Sequence, residues 1–107
     1  MLVKSKLKKN DIICFRITTG EEIVAKLKDE SDTTYTVVKP LALVNGPKGV
    51  HMAPAMVTVD QTAEIVYNKS AIISSSTPTK AVEGSYVQST TGLVVATTGN
   101  SSKLKAN

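Results

Sequence analysis

The sequence predicts an all-β domain: about five strands in a tight meander, bent into a small barrel and followed by a short helix. Three observations carry this expectation. Apolar residues alternate with polar ones from Asp11 onward, the pattern of strands with one buried face. Turn signals recur at short intervals, at Thr19-Gly20, Asp29–Asp32 and Asn45–Gly49, so the connections are tight. Thr77-Pro78, ahead of Val82 and Tyr86, has the form of a helix start followed by an apolar stripe.

The chain has 107 residues, near the common size for a single core. Residues 1–10 carry lysines at 4, 6, 8 and 9 and read as a basic arm or a short helix. In the first strand Ile13, Phe15 and Ile17 face one way, and Cys14, Arg16 and Thr18 the other. After the turn at Gly20, Ile23, Ala25 and Leu27 share a face opposite Val24, Lys26 and Lys28. Thr34–Val38 is a β-branched third strand, with a bend at Lys39-Pro40. "LALV" continues extended into the turn "NGPKG". Val50–Val59, split by Pro54, reads as two short extended pieces or a helix. Glu64–Ser76 is a strand interrupted at its middle by Asn68-Lys69-Ser70. Residues 11–76 thus form the barrel, 77–96 the helix and a last extended segment, and 97–107 a polar disordered tail.

Thirteen Lys and Arg against nine Asp and Glu give a net charge of +4, which favours polyanionic partners. With three tyrosines, one phenylalanine and no tryptophan, the core is built from Ile, Val, Leu and Ala. Such a small core gains from burial in an oligomer.

Several chemistries find no support. Asn68-Lys69-Ser70 and Asn100-Ser101-Ser102 fit the glycosylation pattern, but "MLVKSKLKKNDII" has no apolar core or cleavage site of a secretory leader. No apolar run approaches the roughly 20 residues that span a bilayer. Lone Cys14 cannot form an internal disulfide, consistent with a reducing compartment. His51 has no Asp or Cys at ligand spacing, the Ser and Thr residues have no positioned base, and Asp29, Glu30 and Asp32 lack calcium-loop spacing. The expectation is a cytoplasmic binding protein, not an enzyme, with no cofactor, no metal and no membrane.

"DIICFRITTGEEIVAKLKDESDTTYTVV" and "EIVYNKSAIISSS" resemble the two halves of the Sm and Sm-like (LSm, Hfq-like) RNA-binding family. In the first half, Gly20 stands at the turn glycine, Ile23-Val24 at the apolar pair and Ala25 at the second small position. In the second, Tyr67-Asn68-Lys69-Ser70-Ala71-Ile72 is similar to a Tyr-Lys-His-Ala-Ile run with one extra residue. The likeness covers Asp11 to Ser76. "PLALV", "NKSAI" and "YVQSTTGLVV" further resemble Sm-like proteins carried by marine cyanophages, which implies a host cytoplasm.

The sequence departs from the family at Ala25, normally glycine, and at Lys69-Ser70, normally Arg-Gly or Lys-His. The Asp-x-x-x-Asn base-binding loop is not reproduced: its aspartate falls on Ser31 or Asp32, its asparagine on Tyr35 or Thr36. The insertion "NGPKGVHMAPAMVTVDQTA" is longer than usual.

The resemblance implies a five-stranded Sm-like (SH3-like) barrel assembled into a homo-oligomeric ring of roughly five to seven copies, binding RNA or single-stranded nucleic acid on its pore side. Asp32, Tyr35, Asn68, Lys69 and Ser70 are then the site. Lys69 offers an ammonium to phosphate, Asn68 and Ser70 offer hydrogen bonds to base edges or 2′-hydroxyls, and Tyr35 offers a ring for stacking. The other reading is a phage structural or assembly ring with no nucleic-acid role.

Overall fold

In the computed structural model, which describes residues 7–91, six antiparallel strands and one helix follow one another. They are β1 (Ile12–Ile17), β2 (Glu22–Glu30), β3 (Thr34–Gly46), β4 (Gly49–Pro54), β5 (Glu64–Asn68), a 3-10 turn (Lys69–Ala71), β6 (Ile72–Ser76) and α1 (Lys80–Thr91). The alternation seen in the sequence places the core. Ile13, Phe15, Ile23, Ala25, Leu27, Tyr35 and Val37 form one buried cluster on the inner face of the sheet. β1 and β2 are joined by a turn in which Gly20 has φ +103, a left-handed conformation that disfavours a side chain. Arg16 spans this hairpin, donating to the Gly20 carbonyl and pairing with Glu22.

The five-strand expectation is corrected to six. β3 runs for 13 residues and changes partner along its length: Thr34–Val38 pairs with β5, and Leu41–Gly46 pairs with β4. The change falls at Lys39-Pro40. Lys39 sits at φ 51, and the ladder to β2 skips from Val24↔Leu41 to Lys26↔Val38. A bulge of this kind bends a strand and increases its twist. The sixth strand, β4, comes from the insertion, of which the part beyond Ala55 is turn and bend.

The sheet order is β4-β3-β2-β1-β6, with β5 beside the first half of β3. β5 and β6 therefore lie on opposite flanks although only the 3-10 turn separates them in sequence. The sheet curls strongly, and this turn bridges its ends; no ladder between β5 and β6 closes it.

The helix covers the outer face. Sequence spacing puts its start at Thr77-Pro78, whereas Lys80 is the first helical residue and the Thr79 hydroxyl accepts from the Val82 N–H at 3.2 Å. Tyr86, 1% exposed, anchors it. Its hydroxyl donates to the Lys39 carbonyl at 2.9 Å, with the Val38 carbonyl at 3.2 Å, and the Lys39 ammonium donates to the Thr90 carbonyl at 3.1 Å. A cation at the C-terminal end of a helix complements its dipole. These contacts hold the left-handed Lys39 in place. Val24, on the outward face, is fully buried and lines a pocket with Val82 of the helix. Residues 1–6, 92–96 and the 97–107 tail lie outside the described residues.

Burial raises the Tyr86 phenol to about 12, partly opposed by a backbone hydrogen bond from Lys26. In the unfolded chain the phenol ionises near its ordinary value of 10.0. Its stabilising contribution is thus intact below pH 10 and is lost as pH rises through about 12. Tyr86→Phe is expected to cost about 1 kcal/mol at neutral pH, the value of one hydrogen bond, and to flatten this alkaline loss. Urea titrations followed by circular dichroism from pH 7 to 12 measure both effects. An unchanged alkaline slope contradicts the assignment.

Candidate nucleic-acid interface

One end of the sheet gathers the sequence-predicted residues. The β2–β3 loop is drawn tight by Ser31, whose Oγ accepts from the Thr33 and Thr34 N–H groups at 3.1 and 3.0 Å. The 3-10 turn is fixed at both ends. The Lys69 N–H donates to the Thr33 carbonyl at 2.8 Å, and the Ala71 carbonyl accepts from the Thr18 N–H at 2.9 Å. The backbone bond to Thr33 docks the Lys69 turn on the loop that carries Asp32.

Strand register places the side chains. Tyr35 lies opposite Tyr67, and Thr34 opposite Asn68, so Tyr67 and Lys69 follow Tyr35 on the inner face. Asn68 and Ser70 are exposed on either side of Lys69, and the Asn68 side chain makes no capping bond to the turn. Asp32 is exposed and lines the same depression as Lys69, a volume of about 760 Å³ that Lys9, Lys28 and Glu64 also border.

Two residues sit differently from their expected roles. The Lys69 ammonium is engaged: it pairs with Glu30 at 2.6 Å and lies 5.0 Å above the centroid of the Tyr35 ring, within the range of a cation–π contact. Tyr35 is 7% exposed. Its ring stacks on Phe15 at 6.0 Å between centroids, while Tyr67 meets Phe15 edge-on at 5.0 Å. Tyr35 is part of the core, and Lys69 caps its ring, so no open stacking face is presented to a base.

Glu30 is the residue that sequence reasoning missed. Simple alternation after Leu27 puts Asp29 inward. A register shift between Leu27 and Asp29 brings Glu30 opposite Tyr35 instead, and its carboxylate turns toward Lys69. Nothing in the composition of "KLKDESD" marks that bulge.

Elsewhere, the Cys14 thiol donates to the Ser76 carbonyl at 3.4 Å; burial and then the Glu22 carboxylate push it up, which keeps it protonated at neutral pH. Burial and then Glu21 likewise raise the Tyr67 phenol. Exposed His51 lies on β4. Among the described residues there is no group of three or more His, Cys, Asp or Glu placed to hold a metal ion, and no helix is long and apolar enough to cross a membrane.

Comparison with models of known protein families gives no match, and comparison with curated proteins gives none either.

Proposed function

We propose that this chain is an Sm-like nucleic-acid-binding protein that forms a homo-oligomeric ring and takes RNA, in preference to DNA, at the end of the sheet that carries Lys69. The observation that carries the reading is the docking of the Lys69 turn onto the β2–β3 loop through the Lys69–Thr33 backbone bond. It holds Lys69, which lines one depression with Asp32, between exposed Asn68 and Ser70, and these groups supply a charge for phosphate and hydrogen bonds for base or sugar edges. Lys8 and Lys9 precede β1 and add to the positive field.

Assembly follows from the edges. β5 pairs with β3 on one side and β6 with β1 on one side, which leaves an outer edge on each. Val66 and Ile73 on these strands are 59% and 60% exposed. Unpaired edges invite pairing with another chain. A head-to-tail contact of β5 on the β6 of a neighbour closes into a ring of roughly five to seven copies if the rotation permits. Ile73→Lys is expected to dissociate the ring while leaving the monomer folded, since the side chain buries little within its own chain. Light scattering at micromolar concentration reads this out; a wild-type monomer there sinks the ring.

The Glu30–Lys69 pair favours a second reading, a phage structural or assembly ring with no nucleic-acid role, because the ammonium already has a counter-ion. Filter binding of homopolymer RNA at two salt concentrations separates the two. Salt-sensitive retention is expected, since phosphate contacts release counter-ions. No retention at low salt leaves the scaffold reading.

A further inference from the structure

We propose that Glu30 is a specificity-determining residue of the Lys69 site, an internal competitor that an incoming anion must displace before it reaches the ammonium. The inference rests on the nucleic-acid reading above and adds to it the ligand class: a phosphodiester chain that engages several subunits at once, in place of a free mononucleotide or a small carboxylate.

Geometry makes the competition direct. The Glu30 carboxylate is 2.6 Å from the Lys69 ammonium, and the two side chains are 23% and 31% exposed. They are accessible to an outside ligand yet sheltered enough for the pair to be stronger than a surface one. The ammonium also rests on the Tyr35 ring. Both contacts hold Lys69 over the core, so a phosphate gains it only by exchanging with Glu30.

The surroundings do not favour small anions. The depression is bordered by Asp29, Glu30, Asp32 and Glu64 against Lys9, Lys28 and Lys69, four acids to three lysines. A single small anion gains one ammonium and meets the remaining carboxylates. A polymer threading a ring exchanges with Glu30 in each subunit, and every contact after the first is intramolecular, with a high effective concentration. Glu30 thereby sets a threshold that a chain of phosphates crosses and a monomeric anion does not.

The test uses the assembled full-length protein, with Glu30→Gln, Glu30→Asp, Lys69→Ala and the double variant Glu30→Gln/Lys69→Ala. Inorganic pyrophosphate and uridine 5′-monophosphate are the small probes, and oligouridylate is the polymer. Binding is followed by NMR on the Lys69 ε-methylene group and the tyrosine rings. Glu30→Gln is expected to tighten both small probes about tenfold, bringing them above the threshold that excludes them from the wild type, and the oligomer by at least as much, since each engaged subunit gains. The gain should vanish in the Lys69→Ala background, and Glu30→Asp, which keeps the charge, should bind the small probes as weakly as the wild type does, whereas a merely structural role would move with side-chain length and not with charge.

In the wild type the Lys69 ε-methylene protons should show an upfield ring-current shift that saturating pyrophosphate removes. An unchanged affinity in Glu30→Gln, a gain that persists without Lys69, or a ring-current shift that survives saturation overturns the proposal. If pyrophosphate behaves as expected while no variant binds oligouridylate, Glu30 stands as the competitor for anions and the nucleic-acid reading falls. If RNA binds and Glu30→Gln changes nothing, that reading stands and this one falls.

Discussion

Tyr35→Ala is expected to cost about 3–5 kcal/mol of folding stability, the range for removing a large aromatic side chain from a core. The ring is 7% exposed, stacks on Phe15 and lies under the Lys69 ammonium. Its removal opens a cavity at the centre of the inner cluster and takes away the surface that positions Lys69. For a domain of this size, such a loss is a large share of the roughly 5–15 kcal/mol that folding supplies. Urea unfolding followed by circular dichroism measures it. The family resemblance implies a different use of this residue, a base-stacking platform worth about 1–3 kcal/mol of RNA affinity. Buried as it is, Tyr35 acts on the proposed binding through the stability of the fold, not through a base stacked on its ring. Tyr35→Phe keeps the ring and is expected to bind and fold nearly as the wild type does. A loss below about 1 kcal/mol for the alanine variant contradicts the core placement.

Lys69→Ala is expected to lower RNA affinity at least tenfold, about 1.4 kcal/mol per subunit engaged, and to remain weak at moderate salt. The docked turn fixes the ammonium at one place, so in the proposed ring one substitution removes a charge from each copy of the site. Folding should suffer less, by about 1–2 kcal/mol, because Glu30 loses its partner in a partly sheltered position. The four lysines at positions 4, 6, 8 and 9 act differently. Their charges work at long range and are screened within about 10 Å at 0.1 M salt. Neutralising them should chiefly lower the salt slope and the association rate. Equal RNA binding by Lys69→Ala and wild type, with all binding lost from the arm variant, removes the site and leaves a basic arm on a structural ring.

Local patterns carried much of this fold, and features created by irregularity did not show in them. Ile13, Phe15, Ile23, Ala25 and Leu27 are core because strict alternation selects one face. The Gly20 turn and the Val82–Tyr86 stripe are likewise visible in the sequence. The bulge at Lys39-Pro40 was readable only as a bend. Tyr86, 47 residues away, donates to the Lys39 carbonyl at that bend, a tertiary contact no local window contains. The same holds at the site. Asn68, Lys69 and Ser70 announce themselves as a polar break between apolar runs, and the fold brings Lys69 to the depression that Asp32 lines. The Glu30 partnership follows from a one-residue shift in the β2–β3 ladder, and such shifts reverse which side chains face inward. Tyr35 sits in the core and not on an open face; a motif alignment fixes a position along the chain and says nothing about which face of the strand the position occupies.

The most direct test of the central claim locates the RNA. Homopolymer RNA crosslinked to the assembled protein by ultraviolet light, followed by peptide mapping, reports which residues it touches. The account predicts adducts within Tyr67–Ala71 and the Ser31–Thr34 loop, reduced by Lys69→Ala. Adducts confined to the lysines at positions 4 to 9, with none at the docked turn, would contradict it.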